Sequence, residues 1–320
     1  MDTADTKKST KSSEGDLRTL LIVLSFHGAQ DTLDCLTSIY CDKPTAADVL
    51  VVDNAPNDGT VEILRHTFPA LEILELAENS GWAGGNNAGI KLALERGYDL
   101  LCLMNNDITV DPGTIDRLIE AASSVGPGLM HPRFHDHYAP DVVQHNTAHD
   151  QTALPGHLDI HLMHHAYGAC MMVHADLFKR VGLFDERFFL QLEETDFYTR
   201  AEAMGFAARV CLQGRVLHKE SVSFGGKVSP TKTYYMLRNQ LLFGEKHASG
   251  ITGRIEMLRR MYWGMQGILG SNLNAWRVLR WLCSNEATAI AGRAGIRDYV
   301  MRRFGKMPEA TANILRTRMG

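Results

Sequence analysis

No stretch of this 320-residue chain approaches the ~18 consecutive apolar residues of a membrane-spanning helix. That excludes an integral membrane protein and leaves a soluble chain, or one that rests on a membrane surface. The six cysteines, at 35, 41, 102, 170, 211 and 283, form no C-x-x-C pair. They read as free buried thiols in a reducing cytoplasm rather than as a disulfide framework. A basic excess is missing too. The formal net charge of -4 excludes a general nucleic-acid binder. There is no internal repeat. The first 16 residues, MDTADTKKSTKSSEGD, lack the apolar core of a signal peptide and read as a disordered tail.

What is present begins with an asymmetry of charge. From Ile251 onward the chain carries 12 Lys/Arg against 4 Asp/Glu, a balance of +8, so the remainder carries -12. With 45% hydrophobic residues the chain can bury a sizeable core.

Short apolar runs alternate with helical spacing. RTLLIVLSF, ADVLVVD, LEILEL and YDLLCLMNN read as strands, with a helical segment after each. Four such alternations predict an α/β sheet with mainly parallel strands, in which ligands sit beyond the carboxyl ends. Polar clusters lie at those ends: SFHG, DNAPND, NSGWAGG and NND. From Met130 to His165 the pattern fails, and a long loop or irregular hairpin is expected. GACMMVHADLFKRVGLF then resumes a strand and a helix. EETDFYTRAEAMGF reads as a helix with its acids in the first turn, ARVCLQGRVLH as a strand, and most of the chain from Thr231 on as helical.

The motifs admit more than one use. In NSGWAGGNNAGI, Gly81, Gly84, Gly85 and Gly89 serve a tight turn or the close approach of a ligand. The stretch is neither a Walker loop nor G-x-G-x-x-G. Asp58-Gly59 is expected to be a turn, whereas Asp53 at a strand end is assigned to ligand. Asp107, beyond the strand that ends in Asn105 and Asn106, offers a carboxylate of the kind Mg²⁺ or Mn²⁺ takes, or else a polar strand end. His218 closes another apolar run and reads as a metal ligand or a strand-end histidine. In FFLQLEETDF three carboxylates, Glu193, Glu194 and Asp196, crowd among Phe and Leu at a helix start. The helix dipole favours acids there. Burial and mutual repulsion raise their pKa values towards the range of a general base. Nine of the 14 histidines lie between 131 and 165, and pairs such as His145/His149 and His157/His161 have metal-ligand spacing on a helix. With no cysteine among them, a polar acceptor-binding loop is the preferred reading over a zinc site.

Taken in order, VLSFHG, VVDNAPNDGT, NSGWAGGNNAGI, LCLMNNDITVDP, GACMMVHADLFKRVGLFDERFFLQLEETDF, VLHKES and YYMLRNQLLF resemble the family 2 glycosyltransferases of the GT-A fold, in their rhamnosyltransferase-like branch. The resemblance spans roughly Leu20 to Lys246. It implies a GT-A catalytic domain over 17–246, a Rossmann-like mixed sheet flanked by helices, with a basic helical region over 247–320. It also implies an inverting transfer of sugar from a dTDP- or UDP-linked donor, rhamnose among the candidates, to a hydroxyl of a glycan, lipid-linked or small-molecule acceptor. By that resemblance Asp107 binds Mn²⁺ or Mg²⁺ with His218 as a further ligand, and Glu194 is the base. Ser25, His27, Asp53, Asn54, Asn79, Gly81, Trp82, Gly85, Asn86, Asn105 and Asn106 hold the donor. Glu193 and Asp196 shape the site, and Arg238 stands near the diphosphate. Glu194 stands where the family has Asp, Asn105 where it has the first Asp of D-x-D, Pro56 where it has Ser, and His27 where it has Tyr or Asn. A non-catalytic nucleotide-sugar binder and a sugar nucleotidyltransferase are the competing readings. The basic tail, with Trp263, Trp276 and Trp281 among Leu, Met and Arg, reads as a helical appendage that packs on the acidic catalytic part or pairs two subunits. A membrane-surface helix that finds a lipid-linked acceptor is the alternative.

Overall fold

The computed structural model describes residues 17–42, 47–144, 152–219, 228–270 and 272–317. The expectations for residues 1–16, for His145 and His149, and for Glu220 and Ser221 lie outside them. In chain order the elements are β1 (Thr19–Ser25), α1 (Ala29–Asp42), β2 (Ala47–Asp53), α2 (Thr60–Thr67), β3 (Glu72–Glu75), α3 (Gly81–Glu95), β4 (Leu100–Asn105) and β5 (Ile108–Val110). Then come α4 (Thr114–Val125), β6 (Leu129–Asp136), β7 (Ala153–Leu154), β8 (His157–Met163), β9 (Cys170–His174), α5 (Ala175–Val181), α6 (Glu193–Ala203) and β10 (Ala208–His218). Helices α7 (Pro230–His247), α8 (Gly250–Leu269), α9 (Ala275–Leu282), α10 (Ala287–Val300) and α11 (Glu309–Arg316) follow.

The strands form one mixed sheet in the order β3-β2-β1-β4-β9-β6-β10-β8-β7, with β5 paired to β10. The first four strands are parallel, and their registers align Ser25 with Asp53 and Leu24 with Asn105. That alignment brings the polar strand ends to one rim. Every residue of β1 is buried. Leu20, Ile22 and Leu24 join the cluster under α3, and Leu21 and Val23 join the one under α1. A strand covered on both faces reads as a continuous apolar run, and each fully buried Leu or Ile contributes about 1.5–3 kcal/mol.

Two expectations change. The glycine-rich stretch is not a loop leading to a helix, because α3 already begins at Gly81. Its glycines let the helix lie close to the sheet: a Cβ at Gly85 would stand 2.5 Å from Leu24 Cδ1, and one at Gly89 2.7 Å from Ile22 Cγ2. Between 130 and 165 the irregular hairpin is present as β7 and β8, paired antiparallel with a register shift, and β6 adds a strand that was not expected. β6 and β8 flank β10 within the sheet. Their histidines take sheet positions in place of apolar residues, which hides the strand pattern. His131 is fully buried, meets the carbonyl of Cys170 at 3.1 Å, and is held at about 4 by burial. His157 and His161 sit on β8, and no cluster of three metal-ligating side chains occurs among the described residues. Cys41 and Cys283 are exposed, while the other four thiols are buried.

The residues after 246 pack back onto the rest. Phe189, Leu190, Tyr234 and Tyr235 share one apolar cluster with Ala291, Ala294, Met307 and Leu315. Leu237 of α7 shares another with Met265, Trp281 and Ala289. No helix among the described residues is long and apolar enough to cross a membrane.

Candidate active site

A cavity of about 410 Å³ opens at the carboxyl ends of β1, β2 and β4. Its lining includes Asn54, Asn79, Gly81, Trp82, Asn105, Asn106, Asp107, Glu193, Glu194 and His218. These ten expected residues come from five separate stretches of sequence. Ser25, His27, Asp53, Gly85, Asn86, Asp196 and Arg238 do not line it.

Asp107 follows β4 in the tight turn to β5. Antiparallel pairing sets Ile108 opposite His218, and Lys219 N–H donates to the Asp107 carbonyl at 3.0 Å. The result is a buried carboxylate whose Oδ1 lies 3.5 Å from His218 Nε2 and has no hydrogen-bond partner. Neighbouring side chains fix the surroundings. Asn105 Oδ1 accepts from Trp82 Nε1 at 2.8 Å, and Asn106 Nδ2 donates to His27 O and Thr32 Oγ1, each at 3.0 Å. Asn54 holds the loop before α3, accepting from Ser80 N–H at 2.8 Å and donating to Gly81 O at 3.0 Å.

The start of α6 also lines the cavity, preceded by a turn of unusual conformation. Phe189, Gln191 and Leu192 have φ values of 66°, 74° and 74°. Non-glycine residues in that region cost on the order of 1–3 kcal/mol each, so something must hold them. Arg238, fully buried on α7, donates to the carbonyls of Arg187 at 3.0 Å and Phe188 at 2.8 Å. Asn239 Nδ2 reaches the carbonyls of Phe188, Leu190 and Gln191 at 2.8–2.9 Å. Phe189 O accepts from Trp82 N–H at 2.7 Å, joining the turn to α3. Arg238 is therefore bound up with this turn and with Gly305 O, not placed at a diphosphate.

The turn delivers three acids to different environments. Glu193 is buried with Oε2 lacking a partner, and burial and then the Glu194 charge push its carboxyl well above the usual range. Glu194 is partly exposed to the cavity. Burial raises it to about 7, against the pull of the Glu194 and Thr195 backbone N–H groups. Asp196 points away from the cavity and is wholly buried. His247 Nε2 at 2.8 Å, Lys246 Nζ at 2.6 Å and Arg200 Nε at 3.0 Å surround it. Burial pushes its carboxyl up, but those partners more than offset this and hold it low. Asp196 thus pins α6 to α7 and does not face the reaction space.

The other expected donor residues are spent locally. Ser25 Oγ meets Thr32 Oγ1 at 3.1 Å, His27 pairs with Asp58 at 3.2 Å, and Asp53 Oδ1 accepts from Ala55 N–H at 3.3 Å in an Asx turn. Asp58 caps Thr60 N–H at 2.9 Å, the turn expected there. Asn86 Nδ2 donates to Trp82 O at 2.9 Å. Sequence reasoning missed Gln191, Lys232, Thr233 and Met236, and above all Gly264, Gly267 and Ile268 of α8, which line the cavity from the tail. Lys232 and Thr233 immediately precede the YYMLRN motif and Met236 lies within it, the one signal that pointed their way.

The mixed sheet with its flanking helices is that of the GT-A fold. The solved crystal structure of GalNAc-T7 with UDP, GalNAc and Mn²⁺ superposes with a TM-score of 0.63 at 11% identity, covering 84% of this chain and 54% of that one. S. aureus TarS 1-349 with UDP-GlcNAc superposes at 0.59 and 14% identity, over 92% and 83%. The mannosyltransferase PcManGT from Pyrobaculum calidifontis, with GDP-Man and Mn²⁺, does so at 0.53 and 16%, over 94% and 79%. The sequence profile of glycosyl transferase family 2 matches residues 21–182, and the chain belongs to that family. Its relatives include the low-salt glycan biosynthesis hexosyltransferase Agl10 of Haloferax volcanii, 24% identical over 85% of this chain and 87% of the relative. The N-acetylglucosaminyl-diphospho-decaprenol L-rhamnosyltransferase of Mycobacterium tuberculosis is 26% identical over 59% and 71%.

Proposed function

We propose that this glycosyltransferase moves a hexosyl or deoxyhexosyl group, rhamnose among the candidates, from a dTDP- or UDP-linked donor to a hydroxyl of a lipid-linked glycan, with inversion. One observation carries the reading: Glu194 and the Asp107–His218 pair line the same cavity. In-line displacement needs a proton acceptor on one side of the anomeric carbon and stabilisation of the leaving diphosphate on the other.

The residues fit a divalent cation. Asp107 Oδ1 is buried without a hydrogen-bond partner and His218 Nε2 stands beside it, a donor set suited to Mn²⁺ or Mg²⁺. When bound, such an ion supplies charge stabilisation to the departing diphosphate. Among the described residues Asp107 and His218 would hold the ion, and a donor set this small would leave room for oxygens of the bound donor, so metal affinity would depend on donor. Glu194, ionised around neutral pH, takes the acceptor proton as its oxygen attacks. Burial and the Glu194 charge raise the Glu193 carboxyl, which favours the protonated form over a second base. Trp82 and the Asn54–Asn79 loop form a wall for the donor. The lipid-linked acceptor is favoured by the similarity to the N-acetylglucosaminyl-diphospho-decaprenol L-rhamnosyltransferase of Mycobacterium tuberculosis.

Thermal stabilisation by a panel of nucleotide sugars, with and without Mn²⁺, tests the donor assignment. A dTDP- or UDP-sugar raising the melting temperature only with Mn²⁺ supports it. Equal shifts without metal count against the metal role.

A further inference from the structure

The solvent face of α8 is apolar. Ile251, Ile255, Leu258 and Tyr262 follow one another at helical spacing, and they are 79, 54, 61 and 44% exposed. The stripe continues as Met265 and Leu269, which share a buried apolar cluster with Trp281 of α9. Upstream nothing covers it among the described residues. On α9, Trp276 and Leu279 are exposed as well, 74 and 53%. An almost wholly apolar groove of about 460 Å³, between Tyr262, Leu273, Val278, Leu279 and Leu282, joins the two surfaces. A patch of this kind on a soluble protein marks an interaction site.

We infer that the α8–α9 surface seats the enzyme on a bilayer bearing anionic headgroups. The charges around the apolar stripe select that partner. Arg254 and Arg259 flank it on α8, and Arg277 and Arg280 stand exposed beside Trp276 on α9. The one acid on α8, Glu256, is already paired with Arg259 and Arg260. Pairing two copies of the chain through this face would set those arginines against one another, whereas phosphate headgroups receive them. Trp, Tyr and Arg also suit the boundary between headgroups and acyl chains, with rings and stems in the apolar layer and polar ends outside. The same helix carries Gly264, Gly267 and Ile268 into the wall of the active cavity. Seating α8 on the membrane therefore sets the cavity beside it, within reach of an acceptor anchored there. This purpose rests on the proposed lipid-linked acceptor, but the surface itself is testable without catalysis.

The test is co-sedimentation of the full chain with vesicles of phosphatidylcholine alone or mixed with phosphatidylglycerol, at low and high salt. Sedimentation velocity and nucleotide release from donor with a water-soluble acceptor are measured in parallel. The wild type pellets with the anionic vesicles, and salt weakens this. I255E/L258E loses binding by tenfold or more, and R277E/R280E binds several-fold less well. Both keep the wild-type melting temperature and soluble-acceptor rate, because all four side chains are exposed and outside the cavity. Pelleting with neither vesicle, or equally with both, overturns the inference even if the enzyme transfers sugar. So does a concentration-dependent dimer that I255E/L258E abolishes, since the stripe would then be a self-interface. Salt-sensitive binding to anionic vesicles upholds it even if no transfer is found, and that failure would fall on the proposed function instead.

Discussion

Asp107 and His218 lie 111 positions apart in sequence, yet Asp107 Oδ1 stands 3.5 Å from His218 Nε2, both side chains buried at the cavity. Three residue pairs of antiparallel register between β5 and β10 bring them together. Neither residue alone separates a metal site from a polar strand end; their juxtaposition across the sheet does.

The pair predicts a metal requirement that mutation shifts. Asp107→Asn and His218→Ala should each raise the Mn²⁺ concentration needed for half-maximal transfer by about tenfold or more. Chelation should abolish wild-type turnover reversibly. A metal titration of nucleotide release checks both.

Glu194 should set a pH limb. The base works as a carboxylate, so the transfer rate should rise with pH through a midpoint near 7, and Glu194→Asp should keep a limb while Glu194→Gln loses it. The sign for stability is opposite. The folded carboxyl titrates above the usual 4.5, so between about 4.5 and 7 the unfolded state has released a proton that the folded state retains. Stability therefore falls as pH rises through this window. Glu194→Gln should raise the ligand-free unfolding free energy at pH ~8 by an amount on the order of 1–3 kcal/mol after screening at the cavity mouth, seen as a higher melting temperature. Gain in stability with loss of activity would mark a functional group rather than a structural one.

Gly81 should tolerate no side chain. Its φ is 72°, and a Cβ would come within 2.3 Å of Phe189 O, the carbonyl that accepts from Trp82 N–H. Gly81→Ala should destabilise the fold by roughly 2 kcal/mol or more and weaken donor binding, because it pries α3 from the turn that presents Glu194. Denaturant unfolding and donor titration measure the two effects.

Arg238→Lys should behave as a stability variant. It keeps the charge but loses the planar fork that reaches the carbonyls of Arg187, Phe188 and Gly305. A loss of about 2–4 kcal/mol is expected from buried carbonyls left short of donors. If Arg238 met the diphosphate directly, the main effect would be on donor KM with little change in unfolding.

Much of this could be read from the chain. The apolar runs of β1, β2 and β4 announce a sheet covered on both faces, and parallel pairing then obliges Asn54, Asn105 and the loop at Asn79 to share a rim. What strand ends do not reveal is where each side chain turns. Ser25 and Asp53 occupy the rim but face their own neighbours, Thr32 and Ala55. The EETD acids show the same limit. Helical spacing separates 193 and 196 from 194, but only the contacts of Lys246 and His247 reveal that Asp196 anchors α7. The β6 strand was hidden by histidines in sheet positions. The α8 wall of the cavity was hidden by distance along the chain, since nothing local in Gly264 or Gly267 points to Glu194.

The central claim is that Glu194 takes the acceptor proton. The most direct measurement compares Glu194→Gln with the wild type in two assays: calorimetric titration with the nucleotide-sugar donor plus Mn²⁺, and transfer to acceptor. Donor affinity within about twofold, with transfer reduced by roughly 10²–10⁴-fold, is the predicted result. Transfer at the wild-type rate by Glu194→Gln would contradict it.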